Sequence, residues 1–138
     1  MYEELEEYLS GSFTIDYWYD EGFTIAREML EKFNKNDWEK LLDNILLKPI
    51  AWQIRFAYCV DSNINDEIIV QSLILLSSID NDELFETCMD SLRVIVNSDN
   101  IGLISGDKTI MKRIETILPK SGIAVRKIFK DFIKKLQC

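Results

Sequence analysis

The sequence contains no histidine, and this absence limits the chemistry that the protein performs. Histidine most often supplies general acid and base catalysis near neutral pH, and none occurs among the 138 residues. The glycine-rich phosphate loops, the His-Glu-x-x-His zinc motif and the nucleophile elbow are absent as well. Asp80, Asp82 and Glu83 resemble the start of a calcium loop, but the glycine and the distal glutamate of that loop are missing. We therefore expect no enzymatic activity, no metal ion and no cofactor.

Cysteines and long apolar runs are also few. Cys59, Cys88 and Cys138 are odd in number and widely spaced, so they indicate neither a disulfide framework nor a zinc site. Cys59 and Cys88 fall among apolar residues, as reduced thiols of a core do. No apolar run approaches the ~20 residues that a membrane helix needs, and residues 1–4 are acidic where a signal peptide is basic. We expect a soluble protein of the reducing cytoplasm that does not bind membranes.

The charge is divided unevenly along the chain. Residues 1–100 hold 7 basic and 21 acidic residues, a net charge of −14, whereas residues 101–138 hold 9 basic and 3 acidic residues, a net charge of +6. Carboxylates at helix starts explain about half of the acidic residues, because the helix dipole favours them there. The surplus predicts a negative surface that attracts a basic protein and repels nucleic acid.

Apolar residues recur with helical spacing through most of the chain, which predicts an all-α protein. Only 2 prolines and 5 glycines interrupt the pattern, while 47% apolar residues are ample for a core. Asn36 and Glu39 have the spacing of a capping box, and Pro49 suits the first position of the next helix. A buried strand is the alternative for the highly apolar segment 65–79. The helices are predicted over 18–33, 38–46, 49–60, 65–79, 84–96, 110–118 and 125–136, with a packed loop over 97–107.

An internal repeat with an offset of 31 residues relates two of these helix pairs. Residues 54–57 correspond to 85–88, and upstream Trp38 corresponds to Ile69 and Ile45 to Leu76. A third, less regular copy aligns residues 125–127 with 54–56. The pattern predicts one domain, 1–138, in which a short solenoid of helix pairs (about 16–96) is followed by a basic helical cap (about 107–138). A generic helical bundle is the alternative.

These units resemble HEAT-like repeats through the run Trp52-Gln53-Ile54-Arg55-Phe56-Ala57. The chain also resembles the small helical immunity proteins of bacterial polymorphic toxin and contact-dependent growth inhibition systems. That likeness is carried by residues 16–18 with 25–27, by Asp37-Trp38 with Leu41-Leu42, and by Pro49 with 52–57, and it covers about 16–96. The resemblance implies that the protein binds and neutralises a cognate toxin domain. Several toxins of this kind are nucleases with basic clefts.

We predict that aromatic anchors and acidic residues contact the partner. Tyr19 lies off the apolar face that holds Trp18, while Trp52 fits a core or an interface equally well. The predicted contacts are Tyr19, Asp20, Trp52, Asp61, Asp80, Asp82, Glu83, Glu86 and Asp90. Lysines on the last helix are typical of a solvated face more than of a nucleic-acid site. A HEAT-like adaptor in a larger assembly is the alternative function, and an enzyme based on buried carboxylates is the third.

Overall fold

The computed structural model describes residues 1–64 and 66–137, and every regular element within these ranges is helical. The predicted all-α class is confirmed, and the strand alternative is wrong for residues 66–76. Asn65 and Cys138 lie outside the described residues. The helices are α1 (Tyr2–Leu9), α2 (Ile15–Tyr17), α3 (Phe23–Glu31), α4 (Lys35–Asn44), α5 (Ile50–Cys59), α6 (Asp66–Leu76), α7 (Asp82–Ile95), α8 (Ile101–Ser105), α9 (Lys108–Ile117) and α10 (Ile123–Leu136). A π-helical segment, Trp18–Gly22, joins α2 to α3, and 3-10 turns follow α4 and α9.

The start of α4 differs from the prediction. The capping box is formed by Asn34 and Asp37: Asn34 Oδ1 accepts from the Asp37 amide at 2.9 Å, and Asp37 Oδ2 accepts from the Asn34 amide at 3.0 Å. Asn36 already lies within the helix, so the predicted pair Asn36 and Glu39 is wrong by two residues. Pro49 is likewise the residue before α5, with extended backbone, and not its first helical residue.

The predicted loop over 97–107 contains the short helix α8. Asn100 is buried there, donating from Nδ2 to the Ile95 carbonyl at 3.0 Å and accepting the Asn97 amide at 2.8 Å. Ile104 is fully buried. The segment is therefore held on the body of the protein, as its apolar residues predicted.

Helices α3, α5, α7 and α10 contact one another in that order along the molecule. Ala51 of α5 and Glu83 of α7 line one groove near the beginnings of their helices. Nearer the ends of the same helices, Ser91 Oγ donates to the Ala57 carbonyl. Helices α5 and α7 therefore run in the same direction.

Helix α10 packs on α7 and runs in the same direction. The rings of Phe85 and Phe129 lie 5.9 Å apart in the first halves of the two helices. In the second halves, Lys135 Nζ donates to the carbonyl of Arg93. Other helices pack against this row, since α1 contacts α3, α4 and α5, and α6 contacts α7 and α8.

One cluster of buried side chains extends from Tyr2 to Phe132. Some positions related by the 31-residue offset are alike in burial: Trp38 and Ile69 are both buried, as are Ala57 and Cys88. Others differ, since Ile54 is partly buried and Phe85 is fully buried. The thiols of Cys59 and Cys88 are free, and burial raises their pKa to about 12, as the prediction of core thiols requires. Within the described ranges, no helix has both the length and the apolarity needed to cross a bilayer.

Candidate partner-binding surface

The beginning of α7 carries a group of carboxylates that we name the α7 ridge, consisting of Asp82, Glu83 and Glu86. Asn81 caps the helix, because its Oδ1 accepts from the Leu84 amide at 2.9 Å. The side chains of Asp82 and Glu83 are thereby left exposed at the positive end of the helix dipole. Two of the three predicted acidic contacts of the ridge thus lie fully on the surface.

The charges of the α7 ridge are poorly compensated. Asp82 Oδ1 lies 3.6 Å from Arg113 Nη2, whereas Glu83 and Glu86 form no salt bridge with any residue that the structure describes. Partial burial raises the pKa of Glu86, and the neighbouring carboxylates of Asp82 and Glu83 raise it further. A cation supplied by a partner would lower the energy of this group of like charges.

A groove of about 250 Å³ opens beside Glu83, between α2, the π-helical segment and α5. Ile15 is 75% exposed and Tyr19 is 45% exposed at this groove, so its walls are accessible to a partner. The apolar lining consists of Phe13, Ile15, Trp18, Tyr19, Ala51 and Ile54. We call it the α2–α5 groove.

The π-helical segment places Tyr19 at this groove. The Tyr19 ring meets the ring of Tyr58 edge-on at 4.8 Å, and burial together with the charge of Glu83 raises the pKa of Tyr19. Gly22 ends the segment where a Cβ atom would lie 2.9 Å from Cε3 of Trp18. Such π-helical turns are frequent at functional sites. The fold thereby brings together Tyr19 and Glu83, which are 64 residues apart in the sequence.

Arg55 is a charged residue that lines the α2–α5 groove. Its Nη1 donates to the carbonyls of Leu9 at 2.8 Å and Gly11 at 2.6 Å, and its guanidinium lies 4.7 Å from the centre of the Phe13 ring. This cation is therefore engaged within the protein. Glu83 is the charged group of the groove that is left for a partner.

A second concavity, of about 350 Å³, lies on the other side of the α7 ridge. Asp80, Asp82 and Glu86 line one side of it, facing Arg113 and Lys120. The ridge thus separates an apolar groove from one with charges of both signs. Asp80 and Asp20, two further predicted contact residues, are exposed.

Trp52 was predicted as a contact residue, and the structure places it in the core instead. It is 2% exposed, stacks on Phe56 at 6.1 Å, and donates from Nε1 to the Glu6 carbonyl at 3.2 Å. Helix α1 covers the indole ring through this bond. A side chain that is buried in this way offers no surface to a partner.

Two further predicted carboxylates are paired within the protein. Asp61 lies beyond the far end of α5, where its Oδ2 is 3.2 Å from Arg27 Nε. Asp90 lies one turn along α7 beyond Glu86, with Oδ1 2.6 Å from Arg93 Nε. Asp61 and Asp90 are therefore already engaged by arginines of the protein, unlike Glu83 and Glu86 of the α7 ridge, which have no salt bridge within the described residues.

Sequence reasoning missed Ile15, Ala51 and Ile54 as lining residues of the groove. The sequence contained a clue to the position of Ile15. Thr14 is a favoured N-cap residue, so a helix is expected to begin at Ile15. It contained no such clue for Ala51 and Ile54, since helical spacing alone does not show which neighbours cover a face.

No group of three potential metal ligands converges within residues 1–64 and 66–137. Comparison with family models, with curated proteins and with solved structures finds no match to this chain.

Proposed function

We propose that the chain is an immunity protein that binds a cognate, basic toxin domain and blocks its active site. The α7 ridge beside the α2–α5 groove is the observation that carries this proposal. In this role the protein acts in the cytoplasm by binding alone, without catalysis or a cofactor, and it contacts neither nucleic acid nor membrane. A nuclease toxin fits best, because its phosphate-binding cleft attracts carboxylates.

The charge distribution supports this mode of binding. Glu83 and Glu86 have no salt-bridge partner among the described residues, so a toxin's lysines or arginines gain pairing without breaking internal ion pairs. The net charge of −14 over residues 1–100 steers a basic protein towards this surface and raises the association rate.

The proposal includes a HEAT-like stack of helix pairs as the scaffold. The ordered contacts of α3, α5, α7 and α10 support it, and so does the common direction of α5, α7 and α10. The third copy departs from the pattern at Arg126, which is exposed and donates to the Ser121 carbonyl at 3.3 Å. Stacked helix pairs would hold the beginnings of α5 and α7 side by side, where the ridge and groove lie.

Coexpression with the domain encoded by the flanking reading frame tests the function. We expect a one-to-one complex and protection of growth against that domain. Reversal of Asp82, Glu83 and Glu86 to lysine should weaken binding about 100-fold, or about 3 kcal/mol, and reduce its salt dependence. The matched control reverses the exposed Glu28, Glu31 and Glu39, which changes the net charge equally, and should retain most of the affinity.

Each outcome bears on a separate part of the proposal. Equal losses of affinity in both triple variants would show that the net charge of the protein, and not the α7 ridge, determines binding. An unchanged affinity and salt dependence in the ridge variant would refute the acidic-surface mechanism. Purification within a larger assembly, with no growth-inhibiting partner, would instead support an adaptor.

A further inference from the structure

We infer that the α2–α5 groove is the anchor site for one aliphatic side chain of the partner, carried next to a lysine or arginine that pairs with Glu83. The inference rests on the proposed function for the identity of the partner. It adds the chemistry of the segment that enters the groove, which acidic charge alone does not specify.

The size and lining of the groove favour a single side chain. Its volume of about 250 Å³ is below the ~300–1,000 Å³ typical of small-molecule sites. The walls are formed by aliphatic and aromatic groups, with Ile15 and Tyr19 exposed at the edge. A leucine-sized side chain buries apolar area against these walls, and an exposed tyrosine is among the residue types that lead interface hot spots.

The charge at the groove determines the flanking residue of the partner. Arg55 donates to the carbonyls of Leu9 and Gly11, so its guanidinium is already engaged. Glu83 lines the same groove and has no salt bridge within the described part of the chain. A cation beside the apolar anchor is therefore stabilised, whereas a carboxylate there would meet repulsion.

Blocked pentapeptides test this chemistry without the toxin. Lys-Lys-Leu-Lys-Lys is titrated into the full ¹⁵N-labelled chain and compared with Lys-Lys-Ala-Lys-Lys and with Glu-Glu-Leu-Glu-Glu. We expect the leucine peptide to shift the amide signals of Ile15, Tyr19, Ala51, Ile54 and Glu83. The alanine peptide should bind about tenfold more weakly, because it lacks three carbons that the groove buries in part. The acidic peptide should produce no shift at these residues.

A pair of alanine substitutions provides the matched control. Ala51 and Ala124 are both exposed and are each the second residue of a helix, α5 and α10. Ala51→Phe fills the groove and should abolish the preference for leucine over alanine. Ala124→Phe adds the same side chain outside the groove and should leave that preference unchanged.

Two results would overturn the inference: equal affinities for the leucine and alanine peptides, or shifts confined to the carboxylate-bearing residues. Failure of the proposed function is a different result, since it appears as absence of a toxin complex whatever the peptides do. Conversely, a toxin that still binds the Ala51→Phe variant would leave the proposed function intact. It would show that the groove is not part of the interface.

Discussion

Arg55 connects the end of one helix to the side of another. The last carbonyls of α1 have no partner within their own helix. Arg55 Nη1 donates to the carbonyl of Leu9, the last residue of α1, and to that of Gly11, two residues beyond it. The planar guanidinium also stacks on Phe13, a combination that a lysine ammonium does not reproduce. This residue therefore holds the segment between α1 and α2 that forms one wall of the groove.

Arg113 performs the same role at a second place in the fold. Its Nη1 donates to the carbonyls of Ser77 and Ile79, both at 2.7 Å, just beyond the end of α6. Its guanidinium lies 4.4 Å from the centre of the Phe85 ring. Both arginines thus donate to two carbonyls near the end of a helix, and the guanidinium group of each lies over a phenylalanine ring.

We predict that Arg55→Met lowers the free energy of unfolding by about 2–3 kcal/mol, because two carbonyls lose a charged donor. Arg55→Lys should lose about half of that, since a lysine replaces the charge but not the planar geometry. Urea denaturation measures both effects. Arg126→Met is the control and should stay within about 0.5 kcal/mol, as is usual for an exposed residue. A lysine variant as stable as the native chain would contradict the role of the planar group.

At the scale of elements, the start of α4 is tied to α1 through Asp37. The Asp37 carboxylate accepts from the Asn34 amide within the capping box and from the Tyr2 amide at 3.2 Å. The bond from Asn34 holds the pKa of Asp37 below its ordinary value of 3.8, and the bond from Tyr2 acts in the same direction. The cap is therefore part of the packing between helices as well as a local motif.

We predict that Asp37→Ala costs about 1–2 kcal/mol of stability, the range for loss of a helix cap. Asn36→Ala should change stability by less than about 0.5 kcal/mol, because that side chain is exposed beyond the cap. Urea denaturation at pH 7 compares the two variants, and similar losses would contradict the observed capping pair.

The lowered pKa of Asp37 predicts that the stability of the protein depends on pH. Because the pKa of Asp37 is lower in the folded chain than in the unfolded one, its contribution is fully present above pH 3.8 and is lost as the pH falls through the folded value. Unfolding followed from pH 6 to pH 2 should therefore show a shallower acid loss for Asp37→Asn than for the native chain. If the stability of Asp37→Asn and of the native chain fell equally with decreasing pH, this contribution of Asp37 would be refuted.

At the scale of the whole molecule, the acidic and basic parts of the chain are joined along α7 and α10. Arg93 lies between Asp90, at 2.6 Å, and Asp131, at 3.5 Å. Phe129 of α10 is fully buried against Phe85. The basic C-terminal segment therefore shares the core of the helices that carry the ridge.

We predict that Phe129→Ala destabilises the protein by about 3–5 kcal/mol, through lost burial and the cavity that remains. Ile123, at the start of the same helix, is 92% exposed, and Ile123→Ala should change stability by less than about 0.5 kcal/mol. Urea denaturation of both variants provides the test. A small loss for Phe129→Ala would mean that α10 detaches without unfolding the rest.

The helical class, the division of charge and the lack of histidine follow from the amino-acid sequence alone. These properties depend on local periodicity and composition, which need no knowledge of neighbours. The burial of Trp38, Ile69, Ala57 and Cys88 also followed from spacing, because each lies on the apolar face of its own helix.

The cap of α4, the burial of Trp52 and the lining of the groove depend instead on tertiary packing. Asn34 and Asn36 are each followed three positions later by a carboxylate, so the local pattern permits both caps, and the Tyr2 amide favours Asp37. Helical spacing does not show which neighbour covers a face, and α1 covers Trp52. The meeting of Tyr19 with Glu83 depends on packing between separate helices, which no local pattern encodes.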